Sequence, residues 1–172
     1  MINNKTTAVF GDLTSLYAAR SKLQKTINYK RLNEVLLNEM EVEAWDVNKW
    51  FTVFADRNEG QASFVEGLRE IGWDVETISN RDIRRLNKPT DYRFDARIAY
   101  QLGASAETTD RVLVVSDSFE LFHTMRDLQH DDSNIELTLA FFSDAINTRW
   151  WKILNDQKQN IKFIDLEDKL YE

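Results

Sequence analysis

The sequence predicts an α/β protein: a three-layer α/β/α arrangement with a mostly parallel central sheet covered by helices on both faces. Three observations predict it. Short apolar runs of β character alternate with stretches of helical period along the chain. The run from Arg111 to Val115, RVLVV, is almost wholly aliphatic, as a strand buried on both faces should be. No Ser/Gly/Pro linker and no internal repeat interrupts the 172 residues, a length that suits one domain of roughly 100–200 residues.

Taken in order, Thr6 to Leu13 reads as a strand, followed by a helix through Leu16, Ala19 and Leu23. A helix over Tyr29 to Glu43 places Leu32, Val35, Leu36 and Glu39 at helical spacing. Trp50 to Ala55 is a strand. Gln61 to Ile71 is a helix with Phe64, Val65, Leu68 and Ile71 on one face, stopped by Gly72. Trp73 to Ile78 is a strand, and Pro89 disfavours helix at Lys88 in the segment that follows. Phe94 to Leu102 is a helix with Gly103 as its stop, and Arg111 to Val115 is the aliphatic strand. Ser118 to Leu128 is a helix, Ile135 to Phe142 a strand, Asn147 to Leu154 a helix, and Ile161 to Leu166 a last short strand.

A hydrophobic content of 42%, one proline and five glycines exclude disordered and fibrous classes. The N-terminus MINNKTTAVF has no apolar h-region, and no window approaches the ~18 apolar residues of a membrane span. No membrane partner is therefore expected. The absence of cysteine excludes disulfides and thiolate metal sites and fits a cytoplasmic protein. A formal charge of −7 argues against coating nucleic acid by bulk electrostatics. The charge is unevenly spread. Glu34, Glu39, Glu41, Glu43 and Asp46 form an acidic stretch. Between Arg81 and Arg97, six bases (Arg81, Arg84, Arg85, Lys88, Arg93, Arg97) against three acids (Asp82, Asp91, Asp95) leave +3. Such a stripe suits phosphate contacts, and equally a solvated surface.

In open parallel sheets the ligand site lies beyond the carboxyl ends of the strands, where the strand order reverses. Asp12 follows the first strand, in FGDLTS, and Asp117 follows the aliphatic strand, in VVSDSFE. If those strands are neighbours, the two carboxylates stand roughly 5 Å apart. Their repulsion calls for a cation between them or a proton on one. A hard ion such as Mg²⁺ or Mn²⁺ takes carboxylate and water ligands and needs neither His nor Cys. Each acid has a competing reading as a helix N-cap. Asp95, in DYRFDARIAYQL, is the third candidate, at a helix start where the macrodipole also favours an acid. Asp91, four residues earlier, is its substitute.

In order and context these stretches resemble the NYN domains, a branch of the PIN-like nuclease superfamily that includes the LabA-like proteins. AVFGDLTSLY, YRFDARIAYQL, RVLVVSDSFELF and IKFIDLEDKL correspond to the four motifs of that family in sequence order. The resemblance implies a PIN-like α/β/α fold and a Mg²⁺- or Mn²⁺-dependent ribonuclease. Asp12, Asp95 and Asp117 would be the metal carboxylates and Glu120 a further ligand. Ser15 stands where the family usually has Asn, Gln101 where a second helix acid is usual, and Ser116 where Gly precedes the third-motif Asp. On this reading Ser15, Ser116 and Ser118 orient a water or phosphate oxygen. Arg84, Arg85, Lys88 and Arg93 bind the backbone of RNA, or of DNA, without reading its sequence. The alternative is a catalytically degenerate NYN module that binds RNA or a protein partner.

Other features carry less. Glu120 and His123 form an E-x-x-H spacing on one helix face, more often a surface coincidence than a metal pair. Trp150-Trp151 and Phe141-Phe142 suit core packing or a homo-oligomer interface, and stacked bases less well. A haloacid-dehalogenase-type phosphatase would need a second Asp that GDLTS lacks. A receiver-like domain would need an acid pair and a late Lys that are not evident at the strand ends.

Overall fold

The computed structural model describes residues 5–54, 59–79, 92–130, 134–146 and 160–171. Six strands form one parallel sheet: β1 (Thr7–Asp12), β2 (Val47–Phe54), β3 (Asp74–Ser79), β4 (Arg111–Val115), β5 (Glu136–Phe141) and β6 (Lys162–Asp165). Their spatial order is β3-β2-β1-β4-β5-β6, and every neighbouring pair is parallel. The order reverses between β1 and β4, registered from Thr7 opposite Arg111 to Gly11 opposite Val115. That crevice is the switch point of a doubly wound sheet.

Alternate residues of each strand feed two separate cores, as the two-residue period of a strand requires. Val9, Trp50, Val75, Leu113, Val115 and Ala140 pack on one face. They meet α1 (Leu13–Leu23), α2 (Tyr29–Glu39), α3 (Glu59–Glu70) and α6 (Leu166–Tyr171). Ala8, Phe10, Phe51, Val112, Val114 and Leu139 pack on the other, under α4 (Asp95–Ser105) and α5 (Phe119–His130). The result is the expected three-layer α/β/α architecture.

Element ends follow local chemistry. Helix α3 stops at Gly72, as expected: its φ is +91°, and the N–H groups of Gly72 and Trp73 donate to the carbonyls of Arg69 and Leu68. Helix α2 ends at Glu39, four residues before the expected end. Glu41 takes the left-handed conformation (φ 55°), and Glu41 and Val42 close the same pair of bonds onto Asn38 and Leu37. Gly103 does not stop α4, which runs on to Ser105 because Leu102 and Ser105 are both buried on one face. The last strand ends at Asp165, whose Oδ1 accepts the Glu167 N–H (3.0 Å) and so starts α6, a helix the apolar pattern did not announce. The expected helix over Asn147 to Leu154 lies outside the described residues, as do Trp150 and Trp151.

Candidate acidic crevice at the sheet switch point

Gly11 is the last β1 residue paired with β4, while Asp12, still registered with Phe51 on β2, ends the strand at the β1/β4 crevice. It is fully buried. Its Oδ1 accepts from the N–H groups of Thr14 (2.8 Å) and Ser15 (3.2 Å) and from the Thr14 hydroxyl (2.5 Å). Asp12 is therefore the N-cap of α1. Its second oxygen, Oδ2, is buried and has no hydrogen-bond partner. Burial pushes the carboxyl up to about 6, opposed by the Thr14 hydroxyl, the two N–H groups and the Arg93 charge.

Ser15 joins Asp12 to Asp117. Its hydroxyl donates to Asp117 Oδ1 (2.7 Å) and accepts the Asp117 N–H (3.0 Å). Arg93 donates to the same carboxylate oxygen at 2.9 Å. Helix α5 is capped not by Asp117 but by Ser118, whose Oγ accepts from the Leu121 N–H (3.3 Å). The Ser118 hydroxyl also donates to Asp95 Oδ2 at 2.8 Å. Ser116, buried, accepts the Ser118 N–H (3.2 Å) and shapes the turn. Asp95 opens α4 beside the buried Phe94, and its Oδ1 is the second buried carboxylate oxygen of the site without a partner. Burial raises the Asp95 carboxyl, the Ser118 hydrogen bond and Arg93 lower it, and the charges of Asp117 and Glu120 add to the rise.

Four of the expected acids thus border one crevice: Asp12, Asp95 and Asp117 are linked through Ser15, Ser118 and Arg93, and Glu120 stands exposed beside Asp95. They do not close into a ligand sphere. Among the described residues, no group of three or more His, Cys, Asp or Glu side chains is placed to hold a metal ion. The cation required beside Asp117, which also favours the charged form of Asp12, is the protein's own Arg93 guanidinium. Arg97 is likewise engaged, in an ion pair with Glu76. Arg84, Arg85, Lys88 and Asp91 lie outside the described residues. His123 packs against an aromatic neighbour. Its ring meets Phe119 edge-on at 4.4 Å, and Phe141 and Phe142 are core residues.

The N-termini of three helices, α1, α4 and α5, meet at this crevice through these bonds. Each contributes partial positive charge, which stabilises carboxylates and favours phosphate oxygens. Thr14 went unnoticed in the sequence. Its hydroxyl shares its one proton between Asp12 and, more weakly, the Tyr92 carbonyl (3.2 Å), tying α1 to the segment that carries Arg93 and Asp95. A hydroxyl two residues after a capping Asp was the available signal.

The two unpartnered oxygens, Asp12 Oδ2 and Asp95 Oδ1, test the site against a divalent ion. Mg²⁺ keeps several waters and needs only one or two carboxylates, and Mn²⁺ suits the same donors. By donor chemistry the two oxygens suit such an ion, whereas the Asp117 oxygen facing Arg93 is already occupied.

Fold and crevice together define a doubly wound α/β protein with a carboxylate-lined cleft at its switch point. The chain is similar in fold to the crystal structure of a protein of unknown function from Vibrio parahaemolyticus, with a TM-score of 0.70 and 19% sequence identity over 99% of this chain and 98% of that one. No protein-family model matches the chain, and no curated protein matches its sequence. No helix among the described residues is long and apolar enough to cross a membrane.

Proposed function

We propose that the chain is a metal-dependent phosphodiester hydrolase acting on RNA, of the kind its resemblance to NYN domains implies. The observation that supports it best is the pair of buried, unpartnered carboxylate oxygens on Asp12 and Asp95 at the switch point. Buried polar atoms without partners are rare and costly, so two at one strand-end crevice suit a cation that would take both as ligands. Mg²⁺ or Mn²⁺ held by Asp12 and Asp95, with Asp117 and Glu120 as further oxygens, would activate a water and neutralise charge on the scissile phosphate. The chain's own residues do the rest. Ser15 and Ser118 hold Asp117 and Asp95 in place. Arg93 and the three helix N-termini favour the phosphate's negative charge. Arg84, Arg85 and Lys88 hold the flanking backbone, positioning the strand without reading bases.

One observation favours a second reading, a silent module that binds RNA or a protein. The Arg93–Asp117 ion pair supplies the crevice with its own cation. The two readings separate in a cleavage assay on labelled single-stranded RNA and DNA with Mn²⁺, Mg²⁺ or EDTA. Hydrolysis of RNA with either ion, none with EDTA, and a loss of at least about a hundredfold in Asp12→Asn are expected. Intact RNA and DNA under all conditions, or cleavage unchanged in Asp12→Asn, would leave the binding module. Cleavage of DNA alone would correct the substrate.

A further inference from the structure

On the other side of β1 lies a cavity of about 480 Å³, within the size range of small-ligand sites. Three aromatic rings line it: Tyr17 on α1, Tyr29 at the start of α2 and Phe64 on α3. Tyr17 (50% exposed) and Phe64 (38%) are two of the four large apolar side chains that the described residues expose, and both face this one cavity. Phe64 meets Tyr29 edge-to-face at 5.1 Å, so its ring is held rather than free to fold back. Arg20 also lines the cavity, one turn beyond Tyr17, with its guanidinium 5.9 Å from the Tyr17 ring centroid. Thr14 and Thr52 complete the wall on this side.

The cavity adjoins the acidic crevice at Thr14. Thr14 lines the one and hydrogen-bonds Asp12 in the other. Tyr17 lies five residues past Asp12 on the same helix, about 7.5 Å along its axis. Aromatic faces and a guanidinium are what a nucleobase and its phosphate need: rings for stacking and positive charge for the phosphate. An acidic protein that must approach an anionic strand gains most where a base rather than a phosphate provides the contact.

We propose that this cavity is a base-binding subsite. It would receive the unstacked nucleobase next to the phosphate seated in the acidic crevice, with Tyr17 and Phe64 as its stacking surfaces and Arg20 on the adjoining phosphate. The proposal rests on the nucleic-acid reading of the crevice. It deepens that reading by making the preferred substrate a single strand, since a paired base cannot be splayed into a pocket.

The test is equilibrium binding in EDTA, which keeps it independent of cleavage. Fluorescein-labelled single-stranded RNA is compared with the same strand bearing abasic positions, and adenosine 5′-monophosphate serves as a small probe. The wild type should bind the abasic strand, and the Tyr17→Ala, Phe64→Ala double variant the intact strand, at least about tenfold more weakly. Tyr17→Phe, which keeps the ring, should bind like the wild type. Arg20→Gln should flatten the salt dependence by about 0.7 in log–log slope, one phosphate contact on a single strand. Circular dichroism and thermal melting confirm that the variants fold. Tight RNA binding that ignores the abasic positions and the double variant would overturn the subsite while leaving the crevice reading intact. If the wild type binds no RNA in EDTA, the metal-dependent crevice reading is decided by the cleavage assay. Adenosine 5′-monophosphate then decides the cavity alone: binding lost in the double variant supports it, and no binding refutes it.

Discussion

At the residue scale, Asp12 shows how one side chain satisfies two demands that first read as rivals. One oxygen caps α1, with three hydrogen bonds, and the other is left buried and bare. The carboxyl group is held at about 6 against an ordinary 3.8 because burial outweighs its hydrogen bonds. A raised carboxyl binds its proton more tightly in the folded chain than in the unfolded one. Its contribution to stability is therefore complete below pH 3.8, falls as pH rises, and is gone above about pH 6. At 1.36 kcal/mol per unit, the difference is about 3 kcal/mol. Urea unfolding of metal-free wild type and Asp12→Asn should show it. Asparagine still caps a helix, so the wild type should lose about 3 kcal/mol relative to the variant between pH 4 and pH 7.5. Parallel pH profiles would show that the site does not hold its proton in this way. Much of this was legible in GDLTS: the strand end, the cap and the acid are all there. The sequence could not show that Arg93, assigned to substrate, stands against Asp117. That pairing joins positions 24 residues apart through the tertiary fold.

At the element scale, the Gly-Asp step that closes β1 has a steric cause. Gly11 pairs with Trp50 on β2, and a Cβ at position 11 would meet the Trp50 ring at 2.0 Å. The ring cannot yield: it stacks on Trp73 at 3.7 Å, and its Nε1 donates to Asn48 at 2.6 Å. Gly11→Ala should therefore cost about 3 kcal/mol or more, read as a lower denaturation midpoint with an unchanged m-value. A substitution cost below about 1 kcal/mol would mean that the indole pair shifts easily. The alternation of apolar runs revealed the strands because burial on one or two faces writes itself locally. Helix ends were legible where glycine takes the positive φ, as at Gly72, and hidden where Glu41 does so. Gly103 misled in the other direction, because the buried positions on either side of it hold the helix together.

At the scale of the molecule, the crevice draws on residues 12, 93, 95 and 117 and exists only when β1 and β4 are paired. An ion bound there stabilises the folded state and not the unfolded one. At a hundred times its dissociation constant it adds about 2.7 kcal/mol. For a chain of this length that corresponds to a rise in Tm of roughly 5–10 °C. Thermal melts with increasing Mn²⁺ should show the rise in the wild type and lose it in Asp12→Asn. A wild-type Tm that does not move in millimolar Mn²⁺ would count against an ion at Asp12. Fold class and switch point were both readable from sequence, since a βαβ rhythm admits few arrangements. The cavity beside Tyr17 was not, because its rings come from three helices that meet only across β1 and β2.

The indole stack has an optical side. Trp50 and Trp73 lie within 2° of parallel, and Trp73 meets Tyr29 edge-on at 6.0 Å. Tyr29 in turn lines the aromatic cavity. One ring therefore separates a buried chromophore pair from whatever enters that cavity, and intrinsic fluorescence becomes an unlabelled gauge of its occupancy. The side chains that demand glycine at position 11 would also report, in emitted light, when the neighbouring site is filled.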